Sequence, residues 1–308
     1  MPYEDERVVD SIRKRPSMYV GGTDLWGYVV LMDGLIRTLV GLGGRDIRWS
    51  REGDADVLTS DGPAPDFESI AEWTNAELGA ADPDSPSCDW IDRLCPIALT
   101  SELDCTRSDT GCVVRLKADR SVFSQTELNG EAVRSYFRRQ SHLRPGVAFT
   151  ADHGGPPTTF RSTGLIDMLR EMSAPLQLLH APIAGRSESP DATVAAAFAF
   201  HSAPGDFIAS FAFYGLTPGG GSHEDGLTQA VNAIRGRYGI AASVGVTAVL
   251  HVESADDLRF AGCVRDRVET PTLTGQVEDA VLSFADDAAM RNPNLPDDLS
   301  GLSPFRFR

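Results

Sequence analysis

Side chains able to do chemistry are scattered along this 308-residue chain rather than gathered into one signature. Its five cysteines, Cys88, Cys95, Cys105, Cys112 and Cys263, include no C-x-x-C pair and are odd in number. That pattern fits neither a structural zinc site nor a disulfide framework, and it reads as buried or free thiols in a reducing cytoplasm. No metal-binding spacing such as H-E-x-x-H occurs, and no Ser-His-Asp or Cys-His arrangement is apparent. Two longer runs carry more information. One is Val9-Asp10-Ser11-Ile12-Arg13-Lys14-Arg15-Pro16-Ser17-Met18-Tyr19-Val20-Gly21, and the other is Gly219-Gly220-Gly221-Ser222-His223-Glu224-Asp225-Gly226-Leu227. Taken alone, the second is a glycine linker before a helix, with Asp225 three residues after Ser222 in a capping-box-like start.

Composition narrows the classes these residues could serve. The chain has 28 basic against 44 acidic residues, a formal net charge of −16, with 42% apolar and 23% charged residues. That is a globular balance, neither disordered nor membrane-like. So acidic a chain argues against a dedicated nucleic-acid binder, and direct DNA binding is not expected. The N-terminal Met1-Pro2-Tyr3-Glu4-Asp5-Glu6 is acidic and reads as neither a signal nor a transit peptide. The most apolar stretches, 194–200 and 207–214, are too short to span a bilayer. A cytoplasmic protein without a membrane partner is expected.

The elements that must position these residues follow from periodicity. Residues 6–42 are helical with a break over Pro16 to Thr23, and the segment from Leu25 to Leu42 is apolar almost all round, so it is a buried helix. Residues 45–60 read as two strands around a Glu52-Gly53-Asp54 turn. Helices are expected over 67–78, 90–99, after Gly130 and over 163–172, with a solvated loop over 79–87. Strands are expected at 102–107, 112–117, near Val147 and near Leu176. Gly185 to Asp191, polar and carrying a proline, is the best domain boundary. Beyond it, 193–201 and 207–214 read as a strand pair turning at Ala203-Pro204-Gly205. A helix from Ser222 to Tyr238, a buried strand over 244–252, and a helix carrying Leu273, Val277, Val281, Phe284 and Ala288 on one face follow.

The first run closely resembles the R-K-R-P-x-M-Y-I-G segment that opens the ATPase region of the DNA gyrase B protein and its topoisomerase relatives. The second resembles that family's G-G-T-H-x-x-G-F run in the transducer domain. Val244-Gly245-Val246-Thr247-Ala248-Val249-Leu250 is similar to its R-E-G-L-T-A-V-I strand, Phe260 to Arg265 lies where it has F-x-x-Q-T-K, and Val277 to Val281 enters the matching helix. The resemblance implies an α/β sandwich of the GHKL type over residues 1–184, shared with Hsp90 and MutL. An α+β transducer domain of the ribosomal S5 domain 2-like type follows over 185–308. The cleavage and DNA-gate domains of full gyrase B are expected to be absent.

The same resemblance says where an ATP site would lie. The family's E-x-x-D-N helix falls on Val29, Met32 and Asp33, so a valine stands at the water-polarising glutamate and Asp33 at the magnesium-holding asparagine. The adenine aspartate falls on Ser60, or on Asp61 with a one-residue slip, within a Ser-Asp-Gly-Pro sequence that is also a plain turn. No counterpart of the glycine-rich lid appears, and Asp82, Asp84, Asp89 and Asp92 stand nearby instead. Pro145 replaces a family threonine, and Arg265 replaces the transducer lysine that reaches the γ-phosphate.

Three readings of function follow. In one, the chain is a gyrase B-like protein without ATP hydrolysis, acting as a dimerisation, regulatory or partner protein, with itself or with a gyrase-like chain. In another, the vacated cleft, lined by Val29, Met32, Asp33, Ser60, Asp61 and Arg265, binds or transforms a small anionic or apolar molecule. Arg265 there suits a carboxylate or another planar anion, and His201, His223 and Cys263 are weaker candidates. A divergent ATPase is the third. No cofactor is expected. Only two lysines, Lys14 and Lys117, occur, a usage that looks like a high-GC bacterial gene, compatible with specialised metabolism.

Overall fold

The computed structural model describes residues 7–72, 89–213, 215–254, 258–262 and 265–302. The chain divides into two compact units, Met1–Ser162 and Thr163–Arg308.

In the first unit the proline-broken helical pattern becomes α1 (Val8–Lys14), α2 (Ser17–Val20) and α3 (Leu25–Gly41). Asp24 caps α3, its Oδ1 accepting from the Trp26 and Gly27 N–H groups at 3.0 and 3.2 Å. Position 27 must be glycine, because a Cβ there would lie 2.1 Å from the Gly22 carbonyl oxygen. As its all-round apolarity predicts, α3 is largely buried. Tyr28, Leu31, Met32, Leu35, Ile36 and Leu39 enter the core, although Trp26 stays exposed.

A six-stranded mixed sheet lies against these helices. It is built from β1 (Asp46–Glu52), β2 (Ala55–Ser60), β3 (Thr100–Ser108), β4 (Gly111–Ala118), β5 (Ala148–Asp152) and β6 (Thr158–Phe160), in the order β3-β4-β2-β1-β5-β6. The β1–β5 pair is parallel and the others are antiparallel. Helices α4 (Asp89–Leu99) and α5 (Gly130–Leu143) complete the layers. Trp49, Leu58, Val114 and Phe149 of the sheet share one core with α3 and with Tyr136 and Phe137 of α5. Of the helix expected over 67–78, residues 68–72 form turns and the remainder lies outside the described residues, as does the loop expected over 79–87.

The second unit opens with α6 (Leu165–Met172). Its sheet comprises β7 (Ile183–Glu188), β8 (Ala192–His201), β9 (Phe207–Ala212), β10 (Gly215–Leu216) and β11 (Gly245–Ser254), in the order β10-β9-β11-β8-β7. Helices α7 (Ser222–Tyr238) and α8 (Pro271–Arg291) bury Leu227, Val231, Ile234, Val277, Val281 and Phe284 on Phe198, Phe200, Ala248 and Leu250, and the short α9 (Leu295–Ser300) closes the described chain.

Several expectations change here. Residues 185–191 are not a linker between units: they belong to β7 and its turn into β8, paired in register Gly185↔Ala196. Their polarity is that of an edge strand whose alternate side chains meet solvent. Strands β8 and β9 do not pair, because β11 lies between them, antiparallel to β8 and parallel to β9. Ser222 does not cap α7. Gly221 stands at the cap, and Ser222 Oγ accepts instead from the Thr270 N–H at 3.0 Å. The strand expected near Leu176 is a single bridge, Leu178↔His201.

Candidate functional site

Residues 29, 32 and 33 share one face of α3, since positions three and four apart are neighbours on a helix. Met32 is a core residue at 1% exposure and Val29 is partly buried, packed against the same core. Asp33, 8% exposed, is held in a polar cluster. It accepts from the Tyr136 hydroxyl, from Gln140 Nε2 at 3.4 Å and from Arg37 Nη1 at 2.8 Å. Arg37 then reaches across to α4, its Nε and Nη2 each 2.7 Å from the two carboxylate oxygens of Asp92. Gln140 in turn accepts from Arg144. One guanidinium therefore bridges two carboxylates on two helices, with α5 supplying the neutral donors.

The electrostatics are consistent with that geometry. Burial works against the charge on Arg37, but Asp92 and Asp33 outweigh it and hold the guanidinium well above its ordinary pKa. Burial, together with the charge of Asp33, pushes the Tyr136 hydroxyl well above 10, so it remains a protonated donor. The i, i+4 spacing of Asp33 and Arg37 is a readable signal for this cluster. Nothing in the sequence indicates Asp92 as the other partner.

Ser60 and Asp61 lie together at the end of β2, and the side chains of both accept from nearby backbone N–H groups. Ser60 is buried, and its Oγ accepts from the Gly62 N–H at 3.0 Å. Asp61 Oδ1 accepts from the Arg45 and Asp46 N–H groups at 2.6 and 2.8 Å, tying this turn to the start of β1. Slight burial opposes ionisation of Asp61, yet those backbone donors keep its pKa below the ordinary value.

Arg265 belongs to the second unit. It sits in left-handed backbone with φ 55°, its guanidinium 5.9 Å from the Phe260 ring centroid. Among the described residues no carboxylate is within ion-pair distance of it. Glu269, a natural candidate, lies 3.8 Å from Arg267 instead. His201 and His223 are both buried. His223 Nε2 bonds Thr217 Oγ1 at 2.9 Å, and burial pulls its pKa down to about 4. Cys263 lies outside the described residues, as do Asp82 and Asp84.

A second polar group has no signal in the sequence. Asp56 on β2, 3% exposed, accepts from Trp49 Nε1 at 2.7 Å and from the Tyr28 hydroxyl, with His153 Nε2 at 3.4 Å. Beside it is a cavity of about 340 Å³, also lined by Glu102, Lys117, Asp119 and Arg120. No group of His, Cys, Asp and Glu able to hold a metal ion is present among the described residues. None of the described helices is long and apolar enough to cross a membrane.

Two mixed sheets with their helices fit an α/β fold of the GHKL-like kind, the fold of the gyrase B ATPase regions among the solved structures. The chain is gyrase B-like and divergent. It is 28% identical over 188 residues to the DNA gyrase B protein of Archaeoglobus fulgidus, covering 56% of this chain and 30% of that protein. Against the Staphylococcus aureus gyrase B protein it is 23% identical over 203 residues, covering 58% and 31%. This chain thus aligns with about a third of those relatives' length. The B-subunit of DNA gyrase from Myxococcus xanthus superposes with a TM-score of 0.73 at 18% identity, covering 95% of this chain and 99% of that one. The 43K ATPase domain of Thermus thermophilus gyrase B, solved with an aminocoumarin, gives 0.72 at 18%, covering 95% and 93%. No family model matches the chain.

Proposed function

We propose that this chain is a gyrase B-like protein that does not hydrolyse ATP and acts as a dimerising, regulatory or partner module. The observation that carries this reading is the Arg37 fork between Asp33 and Asp92. In the gyrase B-like alignment Asp33 stands at the magnesium ligand. Here its oxygens already take three donors, one of them cationic. A hard divalent cation needs free oxygen ligands and is repelled by a guanidinium 2.8 Å from the same carboxylate. The residues present therefore do not fit Mg²⁺-ATP. Val29, at the position of the family's water-polarising glutamate, has no group to accept a proton.

A second reading has its own observation. The guanidinium of Arg265 has no ion-pair partner among the described residues, which leaves it available to a small carboxylate or other planar anion. Calorimetry of the purified chain with Mg²⁺-ATP separates a nucleotide site from both readings. No binding at millimolar nucleotide and no DNA-stimulated hydrolysis are expected, and Val29→Glu should not create turnover. Tight, Mg²⁺-dependent ATP binding would overturn the proposal. Light scattering then tests the partner role, with a dimer of this chain, or a complex with gyrase B, as the supporting result.

A further inference from the structure

We propose that Cys105 and Cys112 form an oxidant-sensitive dithiol that closes to a disulfide under peroxide, a modification site on the β3–β4 hairpin. The pairing Cys105↔Val114 and Arg107↔Cys112 puts the two cysteines on diagonal positions of one sheet face. Their side chains face each other there, close enough for the two thiols to interact. The two differ in access: Cys112 is 2% exposed in the core, whereas Cys105 is only partly buried. Interaction with Cys112 lowers the Cys105 pKa against the opposing effect of burial, and interaction with Cys105 together with burial raises that of Cys112. Cys105 is accordingly the attacking thiol and Cys112 the resolving one.

The chemistry balances with hydrogen peroxide as the oxidant. The Cys105 thiolate attacks one peroxide oxygen, the O–O bond breaks, and the departing hydroxide is protonated to water. Cys105 is then a sulfenic acid, oxidised by two electrons. The Cys112 sulfur attacks it, the S–O bond breaks, and the hydroxide leaves with the Cys112 proton as a second water. Diagonal neighbours lie farther apart than a relaxed disulfide allows, so closure must draw the strands together. Strand β3 can follow because it is an edge strand with a register shift between Thr100 and Glu102. A bond made that way is strained and easily reduced. It also takes away the hydrogen that Cys112 donates to the Pro63 carbonyl, 3.7 Å from Sγ, so oxidation reaches the backbone that follows the Ser60–Asp61 turn.

Peptide mass mapping of the full chain after mild peroxide treatment, without reductant, tests this. The expected product is a Cys105–Cys112 linked peptide two hydrogens lighter, reversed by dithiothreitol. Cys112→Ser should raise dimedone trapping of a Cys105 sulfenic acid several-fold over the unmodified chain, and Cys105→Ser should leave Cys112 a thiol. Oxidation of Cys105 to the sulfinic acid with Cys112 still free would overturn the proposal. So would linkage of Cys105 to Cys88, Cys95 or Cys263. Should either variant fail to fold, the mapping of the unmodified chain still decides.

Discussion

Arg37 holds two carboxylates at once, and its removal should be among the costliest single changes in the first unit. Arg37→Ala leaves Asp33 and Asp92 buried without their cation, a loss of about 3–5 kcal/mol for a broken buried pair. Urea denaturation checks this, and a cost below about 1 kcal/mol would mean the cluster behaves as surface charge. Tyr136→Phe removes one donor from Asp33 and should cost about 1–3 kcal/mol. In the second unit His223 is the acid-sensitive residue. Its folded pKa of about 4 lies below the unfolded value near 6.5. The unfolded chain therefore binds the proton first, and the stability present above about pH 6.5 is lost as pH falls toward 4. His180 acts in the same direction, since burial lowers its pKa and its Nε2 accepts the Phe200 N–H. His223→Gln should flatten the dependence of melting temperature on pH between about 6.5 and 4. An unchanged slope would contradict this assignment.

At the scale of elements, β11 organises the second unit. It is the central strand of five, bonded to β8 on one side and β9 on the other, and its Val246, Ala248, Val249, Leu250 and Val252 are all buried. Burial on both faces explains why the strand reads as a continuous apolar run rather than an alternating one. Its first residue, Gly245, sits where a Cβ would lie 2.2 Å from the Gly205 carbonyl oxygen and 2.4 Å from His201 Cε1. Gly245→Ala must push the backbone of the 203–205 turn away, so a loss of about 1–3 kcal/mol is expected from overpacking. Leu250→Ala, which empties the face under α7 and α8, should cost about 2–5 kcal/mol. Thermal denaturation of both variants separates the two causes, because only the glycine change should be relieved by also shortening the turn.

For the molecule as a whole the acidic surplus sets the expectation. With a net charge of −16 the chain repels a polyanion, and phosphate neutralisation supplies most non-specific DNA affinity. Gel-shift titrations with duplex DNA should show no retention at about 0.15 M salt or below, where screening is weaker still. A shift that strengthens as salt is lowered would reveal a basic patch that the total charge conceals.

Local order is legible from residues alone because it depends on neighbours in the chain. The break at Pro16, the all-apolar α3, the β1–β2 hairpin around Gly53, and helices α7 and α8 are all written in spacing and turn chemistry. So is the gyrase B-like character, carried by short runs such as Arg13 to Gly21. What cannot be read is which distant elements meet. Strands β8 and β9 are sequence neighbours with an adequate turn between them, yet β11 wins the place between them because an apolar strand is best buried with partners on both edges. The polar 185–191 segment looks like a linker because an edge strand and a linker share a composition. The candidate site divides the same way. Position 33 stands out in the sequence as chemically important, but its partners Tyr136 and Gln140 come from 103 and 107 residues away, and Asp92, which shares its Arg37, from 55 residues beyond that arginine, brought together only when α4 and α5 pack beside α3. A carboxylate's role depends on what neutralises it, and that is settled by tertiary packing.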